Sequence, residues 1–269
     1  MRRGGLDLVA RRNGITLLLG VAAGIGVVSL LLRPIPQPLS YHHFADQRAW
    51  LGIPNFSDVI SNLPFAVVGL CGLWFLLRLQ SNCMPTHFVD ARERWPYALV
   101  FLGLLLTAFG SAYYHLAPDN ARLVWDRLPM TLAFMALVAA MIAERISVRA
   151  GLYLLAPLLI VGALSVVLWH LSEMSGAGDL RFYAAVQAFA VLMLPLAVLL
   201  FPPRYTRSGD LWLVVGFYVL AKVLEELDRV IFGLVHVVSG HTLKHLSAAL
   251  AGYWILRMLA KRRAFSVQC

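Results

Sequence analysis

The chain has 269 residues, 60% of them apolar and 14% charged, with a mean hydropathy of +0.74. This composition excludes a soluble globular domain and a disordered chain, and describes a polytopic membrane protein. The formal charge of +9 then reads as membrane topology and not as nucleic-acid binding.

Apolar runs that approach the roughly 20 residues needed to cross the hydrocarbon core fall at about 14–32, 57–78, 96–116, 123–143, 150–171, 181–201, 211–235 and 241–259. The fold class expected is all-α, a membrane bundle with a seven-helix core (35–269) and one extra N-terminal transmembrane helix (1–34). The first run follows basic residues but is too long for an ordinary signal-peptide core, so it reads as a retained span. Its Gly20-x-x-x-Gly24 pair, with Gly26, would allow close helix packing, or simply reflects how common small residues are in membrane helices. Cys71 falls in a span, whereas Cys83 and Cys269 fall on the reducing side, so no disulfide framework is indicated.

Sorted by the loops between these spans, fifteen of the 23 Lys and Arg residues lie on one side and five on the other. The remaining three (Lys222, Arg229 and Lys244) lie within the last two spans. The positive-inside rule then predicts an even span count, with both termini cytoplasmic.

Several polar residues converge on the opposite, outer side. His115 ends the third span, and Asp126 begins the fourth, eleven residues on. His241 and His245 occupy the first turns of the eighth span, at i and i+4, and therefore on one face. Ser111 shares a helical face with His115. Three neutral imidazoles would hold a zinc ion and leave a fourth position for water. A nearby carboxylate could take that water's proton, and a hydroxyl could bind a carbonyl oxygen. Asp126 could instead ligate the metal directly. Each residue has a plainer explanation when taken alone. His115 could be interfacial, Asp126 a helix cap, and Ser111, between Gly110 and Ala112, a packing residue. Their shared depth favours the metal.

In the seventh span, Lys222, Glu225, Glu226 and Arg229 make one face of balanced charge, expected to be a structural network. Asp228 lies off that face with no evident partner, and His170, with Trp169, reads as interfacial.

Ser111-Ala-Tyr-Tyr-His115, Asp126 and His241-Thr-Leu-Lys-His245, together with Ser61-Asn62-Leu63, resemble the alkaline ceramidase family. That family lies within a larger group that includes adiponectin-receptor-like and Per1-like proteins. The resemblance covers about residues 44–260. It implies a zinc-dependent amidohydrolase that cleaves the N-acyl bond of ceramide-like membrane lipids to a sphingoid base and a fatty acid. His115, His241 and His245 would bind zinc, Asp126 would handle the proton, and Ser111 would assist at the carbonyl. Eukaryotic members carry an acidic calcium-binding segment before the first core span. Its counterpart here is acid-poor, with Asn55 in place of a glutamate, leaving Asp46, Asn55 and Asp58 as possible calcium ligands. An Arg-rich composition with compact loops points to a bacterial inner-membrane member with its site toward the periplasm. A receptor-like protein with the same zinc site, or an ester-cleaving lipid remodeller, is the alternative.

Overall fold

The computed structural model describes residues 2–79 and 87–265, with side chains from residue 8 onward. Cys83 and Cys269 lie outside the described residues, as do the side chains of Arg2 and Arg3. The described residues are helical, with no strand beyond two isolated bridges.

Helices α1 (Arg2–Leu31), α2 (Phe56–Ile60), α3 (Leu63–Arg78), α4 (Arg94–Leu116) and α5 (Asn120–Arg145) are followed by α6 (Val148–Met174) and α7 (Arg181–Leu200). Helices α8 (Asp210–Glu226), α9 (Asp228–Val235) and α10 (Gly240–Lys261) complete the chain. Among the described residues, six segments are long and apolar enough to cross a membrane: Leu8–Leu31, Phe56–Arg78, Ala91–Leu116, Asn120–Arg145, Val148–Met174 and Arg181–Leu200. The two remaining core segments carry the charged residues. The run expected at 211–235 is broken at Leu227, where α8 ends and α9 begins.

Seven helices close a ring in which α3 packs on α4, α4 on α5, α5 on α6, α6 on α7, α7 on α8, α8 on α10, and α10 back on α3. Helix α5 is the most buried, and its Ala136, Ala139, Ala140 and Ala143 let neighbours approach closely. Helix α1 stands outside the ring against α7, with Leu18 and Phe201 in one apolar cluster. Large apolar side chains such as Leu77 and Leu234 face outward, as a lipid-facing surface requires. The Gly20, Gly24 and Gly26 stripe does not mediate packing: a methyl added at any of the three meets no atom within 4 Å.

Gly110 is the position where close approach matters. An added Cβ there would lie 2.0 Å from the carbonyl oxygen of Trp125. Pro129, inside α5, has no N–H to give that carbonyl one turn earlier, so Trp125 O is free to lie against the bare Gly110 backbone. This crossing sets Ser111 of α4 beside Asp126 of α5.

At the end of the bundle away from His115, the chain is locked by buried charge. Arg262 donates to Glu144 at 2.6 Å and lies over the rings of Tyr205, Phe88 and Tyr97. Arg145 and Arg262, counted from sequence as loop charges, are both interior. Arg11 bonds the carbonyl of Ile146, and Phe265 bonds that of Arg204. Both outermost described stretches therefore meet this same end.

Gly110→Val is expected to destabilise the purified protein by about 3 kcal/mol, since the added side chain must separate α4 from α5. Gly24→Val is expected to leave the thermal unfolding midpoint in detergent unchanged. Equal midpoints for the two variants would contradict the assigned crossing.

Candidate metal centre

His115 sits in the last turn of α4, while His241 and His245 sit in the first two turns of α10. All three are buried. One nitrogen of each ring lies within 4.8 Å of those of the other two. The ring centroids form a near-equilateral triangle of 4.9, 5.0 and 4.9 Å. Tetrahedral ligation with Zn–N bonds of about 2.1 Å would put such centroids about 5.2 Å apart. The three side chains are thus close enough to bind one metal ion. Asp126 is not a member of this group.

The tautomer of His245 follows from its partners. Ser61 Oγ donates to the carbonyl of Asp58 at 3.0 Å, so at 2.7 Å from His245 Nδ1 it accepts that ring's N–H. Nδ1 is then the donor, and Nε2 keeps its lone pair for a metal. His115 Nδ1 and His241 Nε2 are buried with no hydrogen-bond partner. Two orphaned imidazole nitrogens within one histidine triangle are what neutral-nitrogen ligation of a cation would satisfy.

The N-terminus of α10 is held by several groups. Ser239 caps it, accepting from Thr242 N at 3.0 Å, and Thr242 Oγ1 donates to Asp58 Oδ1 at 2.7 Å. Gly240 carries no side chain where a Cβ would lie 2.2 Å from the carbonyl of Leu224, so α10 can start against the end of α8. The break at Leu227 frees Asp228 from helical register. Its Oδ1 accepts His241 N and its Oδ2 accepts Ala45 N, at 2.8 and 2.9 Å. Asp228, without an evident partner in the sequence, ties the metal-site helix to the segment before α2.

That segment, residues 33–55, straps the histidine end of the bundle. Phe44 packs 4.6 Å from the His115 ring and 4.5 Å from the His241 ring, covering the triangle. His42 Nε2–H donates to Asn120, and its Nδ1 accepts from the Tyr114 hydroxyl, both at 2.9 Å. Burial holds the His42 imidazole below its usual pKa. Nothing in the periodicity of this loop marks it as part of a site, so the sequence reading missed Phe44 and His42.

The three possible calcium ligands each have a partner within the protein. Asp46 is gripped in a bidentate pair by Arg48 at 2.8 Å, which holds its carboxyl below the usual range. Asn55, in the left-handed conformation at φ 46°, gives its amide N–H to the His115 carbonyl at 2.8 Å, and so finishes α4. Asp58 anchors Thr242.

Behind the histidines lies a cavity of about 330 Å³. Ser111, Asp126, Glu225, Lys244 and His245 line its polar end, whereas Leu104, Leu137, Leu194 and Ile255 line its depth. Ser111 and Asp126 line the cavity from neighbouring helices that touch at Gly110 and Trp125. The charged face expected in the seventh span forms only in part. Glu225 binds Lys222 and, at 3.0 Å, Lys244, but the helix break removes Arg229 from the row and Glu226 is solvent-exposed. Trp169 is not interfacial: it is fully buried in a cluster with Tyr114 and Tyr183.

No protein-family model and no curated protein matches the chain.

His115→Ala, His241→Ala and His245→Ala are each expected to abolish metal retention on purification, read by elemental analysis of the protein. Ser61→Ala, which leaves all three rings in place, is expected to weaken zinc affinity by about 10–100-fold through loss of His245 orientation. Unchanged affinity in Ser61→Ala would contradict the assigned tautomer.

Proposed function

We propose that this protein is a zinc-dependent intramembrane amidohydrolase that cleaves the N-acyl bond of a ceramide-like lipid to a long-chain amine and a fatty acid. The observation that carries the reading is the convergence of three imidazoles, one of which, His245, lines the polar end of an apolar cavity inside a membrane bundle. The resemblance of the Ser111–His115, Asp126 and His241–His245 segments to alkaline ceramidases agrees with it. In this reading the site lies toward the outer face of a bacterial inner membrane, with both chain ends cytoplasmic.

His115, His241 and His245 would hold zinc, which would supply Lewis acidity toward a carbonyl and lower the pKa of water. The residues of the chain account for the remaining steps. Asp126 lines the same cavity as His245 and lies outside the histidine group, so it takes the proton of the attacking water and returns it to the leaving amine nitrogen. The carbonyl carbon gains the water's oxygen as the C–N bond breaks. Ser111, on the helix neighbouring that of Asp126, donates a hydrogen bond to the developing oxyanion or to that carboxylate. Phe44 limits bulk water above the triangle.

The acyl chain occupies the apolar shaft. Its lining on α4 runs from Ser111 to Val100, and on α10 from Lys244 to Ile255. Eleven residues of helix at a rise of 1.5 Å span about 16 Å, the length of roughly twelve methylenes. Each buried methylene contributes about 0.8 kcal/mol, so the shaft favours long-chain amides over short ones by a wide margin.

Purified wild-type protein is expected to release fatty acid from a C12–C16 N-acyl sphingoid base, detected by mass spectrometry, with kcat/KM at least about 100-fold above that for the C2 analogue. His245→Ala and a zinc chelator are expected to abolish release, and a serine-reactive phosphonate to leave it intact. Retained zinc with no cleavage of any amide would overturn the enzymatic reading in favour of a receptor-like one. Faster cleavage of the matching esters would move it to lipid ester remodelling.

A further inference from the structure

Arg127 follows Asp126 on α5 and is only 5% exposed. None of the ion pairs among the described residues includes it. Its Nη2 donates to the neutral amide oxygen of Gln37 at 2.6 Å, and its Nη1 is buried with no partner. The guanidinium lies over the rings of Trp169 at 4.1 Å and Tyr183 at 4.5 Å. Aromatic faces stabilise a cation but do not neutralise it. A buried guanidinium with no direct ion pair inside a membrane bundle is costly, and such a group marks a functional position.

Arg127 lines the same cavity as Asp126 and His245. Three cations, Arg127, Lys222 and Lys244, face that cavity against two carboxylates, Asp126 and Glu225. Glu225 is already engaged by both lysines and by the Tyr41 hydroxyl. Asp126, the remaining acid, stands near both Lys244 and Arg127 and supplies one negative charge against the two. The polar end therefore carries surplus positive charge before any metal binds, and a metal adds to it. A neutral ceramide headgroup leaves that surplus unmatched.

We propose that the polar end of the cavity recognises an acidic group, and that the preferred ligand is an N-acyl amide whose non-acyl part carries a carboxylate, sulfonate or phosphate, with Arg127 as the specificity-determining residue. This rests on the cavity being the substrate chamber. The acyl chain fills the apolar shaft and the amide lies at the histidines, so the amine-side portion of the lipid is left to face Arg127 and Lys244. An anion there completes the guanidinium's hydrogen bonding, with Trp169 and Tyr183 holding the plane of the fork in place.

The test uses full-length protein in a neutral detergent and four amides of equal chain length: N-lauroylethanolamine, N-lauroylglycine, N-lauroyltaurine and N-lauroylphosphoethanolamine. Binding is read by tryptophan fluorescence, to which Trp169 contributes. At least one acidic amide is expected to bind about tenfold or more tighter than the neutral one, as a charge-assisted hydrogen bond provides. The tightest of the three identifies the acid. Arg127→Met keeps an unbranched stem between the two rings and is expected to bring that ratio close to one. Equal wild-type affinities for neutral and acidic amides overturn the proposal, with or without a folded variant. A preference that persists in Arg127→Met also overturns it, by assigning the acid to the metal. Hydrolysis of the same amides separates the two readings. A charge preference with no cleavage removes the amidase and keeps the acidic-ligand site, and cleavage with no charge preference does the reverse.

Discussion

The first two turns of α10 carry two histidines, and four polar residues hold them. Asp58 takes the Thr242 hydroxyl, Asp228 takes the His241 amide, Ser61 takes the His245 ring N–H, and Ser239 caps the helix. These groups are buried, so each must find its partner within the protein or carry the cost of an unpaired polar atom. The requirement fixes the rotation and depth of α10 and so places His241 and His245 opposite His115. Removing any one contact leaves a buried donor or acceptor unpaired, at about 1–3 kcal/mol for a neutral group. The geometry of the centre is therefore a by-product of satisfying polar groups around it.

The same logic explains two irregularities in the helices. Pro129 deprives Trp125 of its helical hydrogen bond, and the freed carbonyl is matched by the missing side chain of Gly110. The break at Leu227 costs a turn of α8, but it delivers Asp228 to both His241 and Ala45. Both of these irregularities sit beside the site, where deviations from regular geometry often serve function.

Polarity is partitioned along the bundle axis. One end holds the histidines, the strap and the charged part of the cavity. The other end holds a separate, self-contained cluster of Glu144, Arg262, Tyr97 and Tyr205. Between them the cavity wall is largely apolar, so the two ends do not share a continuous polar path. A shaft of this kind suits a chain with one polar end, and does not suit an ion moving from face to face.

Much of the architecture was legible in the sequence, because hydropathy in a bilayer is an almost one-dimensional property. Composition and run length were enough for a helical bundle with a seven-helix core and an extra N-terminal helix. The spacing of His241 from His245, and the positions of His115 and Asp126 at span ends, brought four residues to one depth. What stayed hidden depends on the second and third dimensions. The Gly20–Gly24 stripe looked like a packing face but meets nothing, because α1 presents a different side to α7. Arg127 and Arg145 read as loop charges near span ends and are interior, since their burial depends on which neighbours cover them. Phe44, His42 and Asp228 lie in or next to irregular backbone with no period to read. Sequence could set residues at the same height in the membrane, but only the closing of the ring decided which of them face one another across it.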